Sequence, residues 1–405
     1  MKTNKSFIYL ILGQTLANIG DVFYTITVIS VLYKQTESAA LTSMVPFTIT
    51  MFMFISSLLT PILVGRINLK YLLLWPQLGK TAIMFGLSSY FMTGMNLNSF
   101  YLIFIFIAAI AFLDGCANPV KLAMIPQYVE EKDLVRANGI SETVNQFIQV
   151  FMWFIGGIIL SISSVEFILW SVTLIFVFAS LVISFLKPVE SMPVKEEKKR
   201  NQITSGWKTI VETPALLRIA IIDFLESFAE AVWVSAIILV FVTEALNQNE
   251  AWWGFINGAF FTGLILGSVF SVKYDFFIEK NLSKFFYISA MASFILTSLF
   301  SFTTIPVMAL IISLLLGISG QLEGIPKQTI IQKSVLKENL AAVYTSLSSI
   351  ATGTFGIAAV TMGLIAEIIG IRAVFITASL LLLIVSVIAF RGRNLFGGET
   401  MKIQN

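Results

Sequence analysis

Acidic side chains set inside long apolar runs are the residues of this sequence best suited to chemistry. Asp223, Glu226, Glu230 and Trp233 step by three and four through the run 215–242, so they share one helical face. Three acids on one face cannot all stay ionised cheaply in a low dielectric. Such a group can hold protons near neutral pH and release them when a cation arrives or the surroundings open to water. Asp223 and Glu226 also fit a plainer position near the inner membrane boundary, meeting Arg218 or water; Glu230 lies deeper.

A second stripe, Gln14, Asn18, Asp21 and Thr25, runs at helical spacing through 7–33. Asp21 falls roughly 21 Å along that helix from Phe7 at ~1.5 Å per residue. It suits either a cavity wall or a structural contact to a neighbouring helix. Glu142, Gln146, Gln149 and Trp153 share a face of 138–160, where Glu142 is equally suited to anchoring a loop or touching a substrate. Lys80 and Asp114 fall in the inner halves of 71–92 and 98–119, as a neutralising pair or a switchable inner gate, and Glu323 is placed to join that network. A charge near a bilayer centre costs at least ~2.5–3.5 kcal/mol, so each of these residues needs a reason to be there.

Other chemistries lack their parts. The sequence has no histidine and one cysteine, Cys116, so it can build neither an internal disulfide nor a Cys/His metal site. Without histidine, any proton coupling must run through carboxylates. No Gly-x-x-x-x-Gly-Lys-Ser/Thr run is present to cradle a nucleotide. No nucleophile-plus-base pairing supports an enzyme, and the loops are too short for a recognition domain. No cofactor, metal or nucleic-acid partner is expected; the expected partners are a small-molecule substrate, protons and the lipid bilayer.

The elements that must carry these residues follow from composition. The chain of 405 residues is 57% hydrophobic and only 12% charged, with a mean hydropathy of +0.88. Soluble domains carry about a quarter charged residues, so most of this surface faces lipid. Taking roughly 17 to 25 mainly apolar residues as one span, spans are predicted at 7–33, 41–64, 71–92, 98–119, 138–160, 165–186, 215–242, 252–272, 283–303, 305–325, 341–367 and 370–390. The first run is too long for a signal-peptide core and is read as a retained span.

The long polar stretch 187–214 contains Lys195-Glu196-Glu197-Lys198-Lys199-Arg200 and reads as a solvated, flexible cytoplasmic linker. It separates an N-terminal half, 1–186, from a C-terminal half, 215–391, with a cytoplasmic tail over 392–405. Lys121, Val129 and Leu134 recur at a constant offset as Lys327, Val335 and Leu340, which supports a parallel repeat. With both termini inside, all but three of the 26 Lys and Arg fall in inner segments; the exceptions are Lys34, Arg372 and Lys80. The expected fold is an all-α membrane protein of twelve transmembrane helices in two six-helix pseudo-repeats. Gly254, Gly258, Gly263 and Gly267, and Gly353, Gly356 and Gly363, suit close helix packing, with sliding during a transport cycle as the sharper reading.

The opening Gly13-Gln14-Thr15-Leu16-Ala17-Asn18-Ile19-Gly20-Asp21 resembles the first-span signature of the macrolide-efflux branch of the drug:proton antiporters in the major facilitator superfamily. The stretch from Asn118-Pro119 through Ile125-Pro126 to Glu130-Glu131-Lys132-Asp133-Leu134-Val135-Arg136-Ala137-Asn138 is similar to that branch's loop between spans four and five. The layout of the whole chain fits. Three places depart from the pattern. The loop after span two is shortened to Gly65-Arg66-Ile67-Asn68-Leu69-Lys70 and lacks its Asp. Met152 and Trp153 stand where the fifth-span antiporter motif has Gly and Pro before Gly156-Gly157. Ala341-Ala342 replaces an Arg common after span ten.

The resemblance implies a monomeric exporter in a bacterial plasma membrane, multi-pass with both termini cytoplasmic. It implies proton-coupled alternating access and efflux of amphipathic compounds, antibiotics among them. Charge and cation–π attraction in an acidic, aromatic cavity point to a cationic cargo. Asp21, Glu230, Glu226, Asp223, Asn18, Gln14, Gln146, Gln149, Trp153 and Trp233 are the expected substrate or proton site. Lys80, Asp114, Glu142, Glu323 and Arg66 are the expected gating residues. A siderophore, a secreted metabolite or a lysolipid are the alternative cargoes for the same fold.

Overall fold

The computed structural model describes residues 4–36, 39–64, 66–92, 101–189, 199–233, 235–249 and 251–396. The helices in chain order are α1 (Lys5–Thr36), α2 (Ala39–Leu59), α3 (Leu69–Met92), α4 (Tyr101–Asp114), α5 (Ala117–Tyr128), α6 (Leu134–Ile162), α7 (Val165–Ser184) and α8 (Lys199–Glu212). They continue as α9 (Pro214–Glu230), α10 (Ser235–Val240), α11 (Ala251–Lys273), α12 (Asp275–Lys280), α13 (Leu282–Phe302), α14 (Pro306–Ser334), α15 (Leu340–Ile369) and α16 (Ile371–Arg391). With α4–α5 and α9–α10 each taken as one broken span, these are twelve transmembrane helices plus α8 and α12.

Among the described residues nine helical stretches are long and apolar enough to cross a membrane, and the pair flanking position 234 makes ten. The other two spans, α3 and α6, hold Gln77 and Lys80, and Glu142, Asn145, Gln146 and Gln149. In α3 the polar side chains of Gln77 and Lys80 are buried, facing protein rather than lipid. Lipid-facing positions are correspondingly apolar: Phe167, Phe302 and Ile368 are 64%, 70% and 78% exposed.

Local signals set many of the helix ends. Ser164 caps α7, its hydroxyl accepting from Phe167 N–H at 3.2 Å. Proline opens α9 and α14, where the missing N–H has no helical partner to lose. Gly370, at φ +108°, makes the sharp turn between α15 and α16, a conformation disfavoured for any residue with a Cβ. Two residues on, the Arg372 guanidinium donates to the carbonyls of Ser301 (2.7 Å), Ala245 (3.1 Å) and Thr303 (3.1 Å), satisfying chain ends that helical bonding leaves open.

The chain divides into two compact units. One comprises Met1–Val129, Phe147–Gly206 and Ala341–Ser348. In it α1 and α3 pack on α7 and α2 packs on α4. Its core is built from Tyr24, Val28, Leu32, Met84, Ile107 and Phe176. Gly20 lies where any Cβ would collide with the Phe176 ring, so glycine lets α1 and α7 approach. Residues 199–212, expected within a flexible linker, form the helix α8 instead. Ile210 is buried while Lys208 stays exposed, and Gly206 sits against the Ala342 carbonyl and the Ser346 hydroxyl. An amphipathic face with one close contact is enough to hold that turn.

The other unit comprises Glu130–Gln146, Trp207–Leu340 and Ser349–Asn405. Here α14 packs on α11 and α13, and α13 on α16. Phe241, Phe300 and Phe375 form an aromatic core with centroids 4.7–5.1 Å apart. Gly263 and Gly317 bring α11 and α14 together, because a Cβ at either would strike backbone of the facing helix. Gly267 does the same, but Gly254, Gly258, Gly356 and Gly363 have nothing within 4 Å. Half of the small-residue pattern in α11 therefore packs and half faces open space. Buried Asn138, near the start of α6, exchanges amide hydrogen bonds with Gln332 of α14 at 2.7 and 3.1 Å.

Candidate functional site

Two lysines buried in spans each sit between two carboxylates, one in each unit. In the first unit, Lys80 on α3 donates to Asp114 Oδ1 at 2.5 Å and to Asp21 Oδ2 at 2.7 Å. Its side chain is 1% exposed and lies over the Phe176 ring at 5.0 Å. Lys80 and Asp114 meet, as their spacing suggested, and Asp21 joins them. Asp21 was expected either on a cavity wall or in a structural contact to a neighbouring helix; its carboxylate is held by Lys80 of α3, with Oδ1 buried and without a donor among the described residues.

In the second unit, Lys327 on α14 donates to Asp223 Oδ1 and Glu226 Oε2 of α9, both at 2.7 Å. Glu323, one turn before Lys327 on the same face of α14, lines the same cavity as Glu226. Glu226, Glu230, Glu323 and Lys327 line one cavity of about 470 Å³, closed elsewhere by Trp233, Phe260 and Phe355, with Ser293 and Thr297 as neutral polar groups. Trp233 stacks on Phe260 at 6.1 Å. Glu323 therefore belongs with Glu226 and Lys327, not with Lys80 and Asp114 as its depth in the sequence suggested. Glu230 makes no ion pair among the described residues and opens onto the cavity.

Depth along the helices places this cluster well inside the bilayer. Counting ~1.5 Å per residue, Glu226 lies about 18 Å and Glu230 about 24 Å beyond the start of α9. The formal charge is one cation against four acids, Asp223, Glu226, Glu230 and Glu323. Glu226 Oε1 and Glu323 Oε1 are both buried without a donor among the described residues.

The remaining expected residues lie elsewhere. Gln14 is buried on α1 and Asn18 half-buried on the same helix. Gln328 Nε2 donates to Glu142 Oε1 at 3.4 Å, tying Glu142 to α14 rather than to the cavity. Gln146 and Gln149 are half-buried on α6 and are not among the cavity-lining residues. Arg66 is exposed in the turn after α2 and joins neither lysine cluster. The Trp153 side chain lies outside the described residues.

Lys327 is the residue that sequence reasoning missed. The expected tenth span, 305–325, leaves it in an inner loop. α14 instead runs through Pro326 to Ser334; a proline removes one backbone donor, and neighbouring helices make up the loss. The i, i+4 step from Glu323 to Lys327 was the signal that would have kept it inside the helix.

Comparison with known proteins agrees with this architecture. The profile described as Major Facilitator Superfamily matches residues 10–230. An uncharacterized MFS-type transporter of Bacillus subtilis strain 168, YfmI, is 29% identical over 391 residues, 96% of each chain. A second from the same organism, YjbB, is 26% identical over 332 residues, 82% of each. Among solved structures, the human organic anion transporter MFSD10 superposes with a TM-score of 0.77 at 11% identity, covering 96% of this chain and 100% of its own. A bacterial homologue of the iron transporter ferroportin, in its outward-facing state, gives 0.73 at 12% identity, covering 95% and 98%. The Escherichia coli fucose:proton symporter gives 0.72 at 14%, covering 96% and 97%.

Proposed function

Because the chain belongs to the major facilitator superfamily and is a secondary transporter rather than an enzyme, we propose that it exports amphipathic cations, basic antibiotics among them, in exchange for protons. The observation that carries this reading is the cavity around Lys327. Its volume, about 470 Å³, lies within the range of small-molecule sites. Its wall offers an excess of carboxylate over ammonium, with Trp233 and Phe260 as aromatic faces for a cation. Glu230, an acid outside the ion pairs that opens onto the cavity, is the ligand for the substrate charge. The Glu226–Glu323 pair is the proton carrier.

The cycle follows from that inventory. A cationic substrate entering the cavity lowers the cost of ionising the shared carboxyl pair, so the proton leaves. When the substrate leaves, the acids again face one another around one ammonium, and a proton returns. Substrate and proton thus compete for the same negative charge, which is what obliges exchange. Two six-helix halves, 1–186 and 215–391, give alternating access around the site. The charge bias supports an orientation in the bacterial plasma membrane with both termini cytoplasmic; the chain is taken to work as a monomer. The opening motif of α1 and the loop before α6 support a place near the macrolide-efflux branch.

The test is efflux of a cationic dye from proteoliposomes with an imposed pH gradient. The parent should export against its gradient only while protons flow the other way. Glu226→Gln and Glu323→Gln should each abolish the response to the pH gradient, and Glu230→Gln should weaken binding of the cation. Export of an anionic substrate in preference to the cation, or an unchanged pH response in both glutamine variants, would overturn the reading.

A further inference from the structure

A second cavity, of about 410 Å³, lies at the inner ends of α13, α14 and α16, away from the substrate cavity. Four cations line it, Lys280, Lys284, Lys333 and Arg393, against one acid, Glu279. Glu279 is already engaged, accepting from Lys333 Nζ at 3.0 Å. The other three cations form no ion pair with a carboxylate among the described residues. Lys280 instead lies over the Phe276 ring at 4.1 Å and Arg393 over the Phe390 ring at 4.2 Å. Three like charges converging on one concavity repel one another unless an anion sits between them.

The helix start at this point adds to the attraction. α13 begins inside the cavity at Leu282, and its N-cap residue Asn281 gives it no side-chain cap. First-turn N–H groups and the positive end of a helix of this length favour an oxyanion there. Ser283, whose hydroxyl donates to the Arg393 carbonyl at 2.6 Å, fixes the segment after α16 against the start of α13 and so holds the cavity's shape.

The rim says what kind of anion. α12, a six-residue helix leading into the cavity, holds Phe276 and Phe277 at 67% and 58% exposure, beside Tyr274 at 42%. Phe390 is 47% exposed below Arg393, and Ile288 is 55% exposed one turn into the membrane from Lys284. Aromatic side chains set between a basic cluster and lipid-facing aliphatics mark the headgroup level of a bilayer. A soluble anion would meet only the cations, whereas a phospholipid meets the cations with its phosphate and the exposed faces of the rings and aliphatics with its acyl chains.

We propose that the cavity formed by Lys280, Lys284, Arg393 and the start of α13 binds the phosphate headgroup of an anionic phospholipid of the inner leaflet. The site is independent of the substrate reading, since it shares no lining residue with the Lys327 cavity. Bound there, the lipid bridges α12, α13 and the segment after α16, fixing the ends of two helices of the second unit against each other.

The test uses the purified full-length protein in nanodiscs of phosphatidylcholine with increasing phosphatidylglycerol, reading thermal stability and, by native mass spectrometry, retained lipid. The parent should retain phosphatidylglycerol and rise in melting temperature with it. Lys284→Gln with Arg393→Gln should weaken that retention about thirtyfold, at roughly fivefold for each basic residue near an anionic surface. Lys208→Gln, an exposed basic residue on α8, should retain lipid as the parent does. If the double variant fails to fold, the parent alone decides: an equal response to phosphatidylcholine and phosphatidylglycerol overturns the proposal. So does stabilisation by inorganic phosphate that matches phosphatidylglycerol, which would mark a soluble-anion site.

Discussion

Lys80 and Lys327 have the same immediate partners, two carboxylates at 2.5–2.7 Å, but their surroundings differ in two ways. Lys80 is sealed, at 1% side-chain exposure, and with Asp21 and Asp114 forms a group of formal charge −1. Lys327 keeps 18% exposure and lines a cavity whose cluster holds Glu230 and Glu323 as well, so its formal charge is −3. A buried cation outnumbered by a single acid leaves only one charge uncompensated and has less reason to change state. A reachable cation outnumbered by acids must take up protons or a cationic guest. Two identical-looking ion pairs thus separate into a structural tie and a working site, and the deciding factors are the larger surplus of acid and the cavity that the second cluster lines.

The largest expected effect comes from removing the sealed cation. Lys80→Met leaves Asp21 and Asp114 facing each other without compensation, a loss of about 3–5 kcal/mol when a buried pair is broken from one side. The protein should fail to fold or melt far below the parent in detergent size-exclusion thermostability measurements. Adding Asp21→Asn and Asp114→Asn to the same chain should restore folding. A well-folded Lys80→Met single variant would break the comparison, because the first cluster would then be as adaptable as the second.

Lys327→Met should be gentler on the fold and harsher on function. Its four acids border a cavity from which protons and water can reach them, so they can neutralise themselves. Melting should fall by a few degrees while dye efflux driven by a pH gradient is lost, since the variant holds its protons permanently. If Lys327→Met unfolds the protein as thoroughly as Lys80→Met, access to the cavity does not distinguish the two lysines.

The sequence made one of these lysines visible and concealed the other. Lys80 stands in the middle of an apolar run, where any charge is conspicuous, and its pairing with Asp114 follows from equal depth. That Asp21 joins them depends on the packing of α1 and α7 through Gly20 and Phe176, a contact between elements far apart in the chain. Lys327 was hidden because the apolar run of the tenth span stops at Ile325, two residues before it. Span positions were legible throughout because lipid imposes length and apolarity on every crossing. Helix ends were less so: α5, α6 and α14 continue past the hydrophobic runs as protein-facing polar turns, and hydropathy carries no signal for those. Of the expected stripe, Glu226, Glu230 and Trp233 line one cavity and Asp223 pairs with Lys327, while the cation and the fifth charged member, Glu323, come from another helix.

The smallest expected effect sharpens the comparison most, because it removes acid from the sealed cluster without touching its cation. Asp21→Asn keeps the side chain's volume and an amide oxygen that can still accept from Lys80 Nζ. The cluster's formal charge moves from −1 to zero, since Lys80 and Asp114 remain as a matched pair. Burying a neutral pair costs less than burying one with a charge left over, so stability should hold within about 1 kcal/mol of the parent, the range of a mild substitution. Efflux driven by a pH gradient should stay within about twofold, because the protons exchanged belong to Glu226 and Glu323. The measurement is melting temperature together with dye efflux at two imposed gradients, run beside Glu226→Gln. If Asp21→Asn folds normally but no longer responds to the gradient, the proton path includes Asp21, and the Lys80 cluster becomes a second coupling site. If its efflux matches the parent while Glu226→Gln is silent, coupling is confined to the cluster that has surplus acid and a cavity through which protons can reach it.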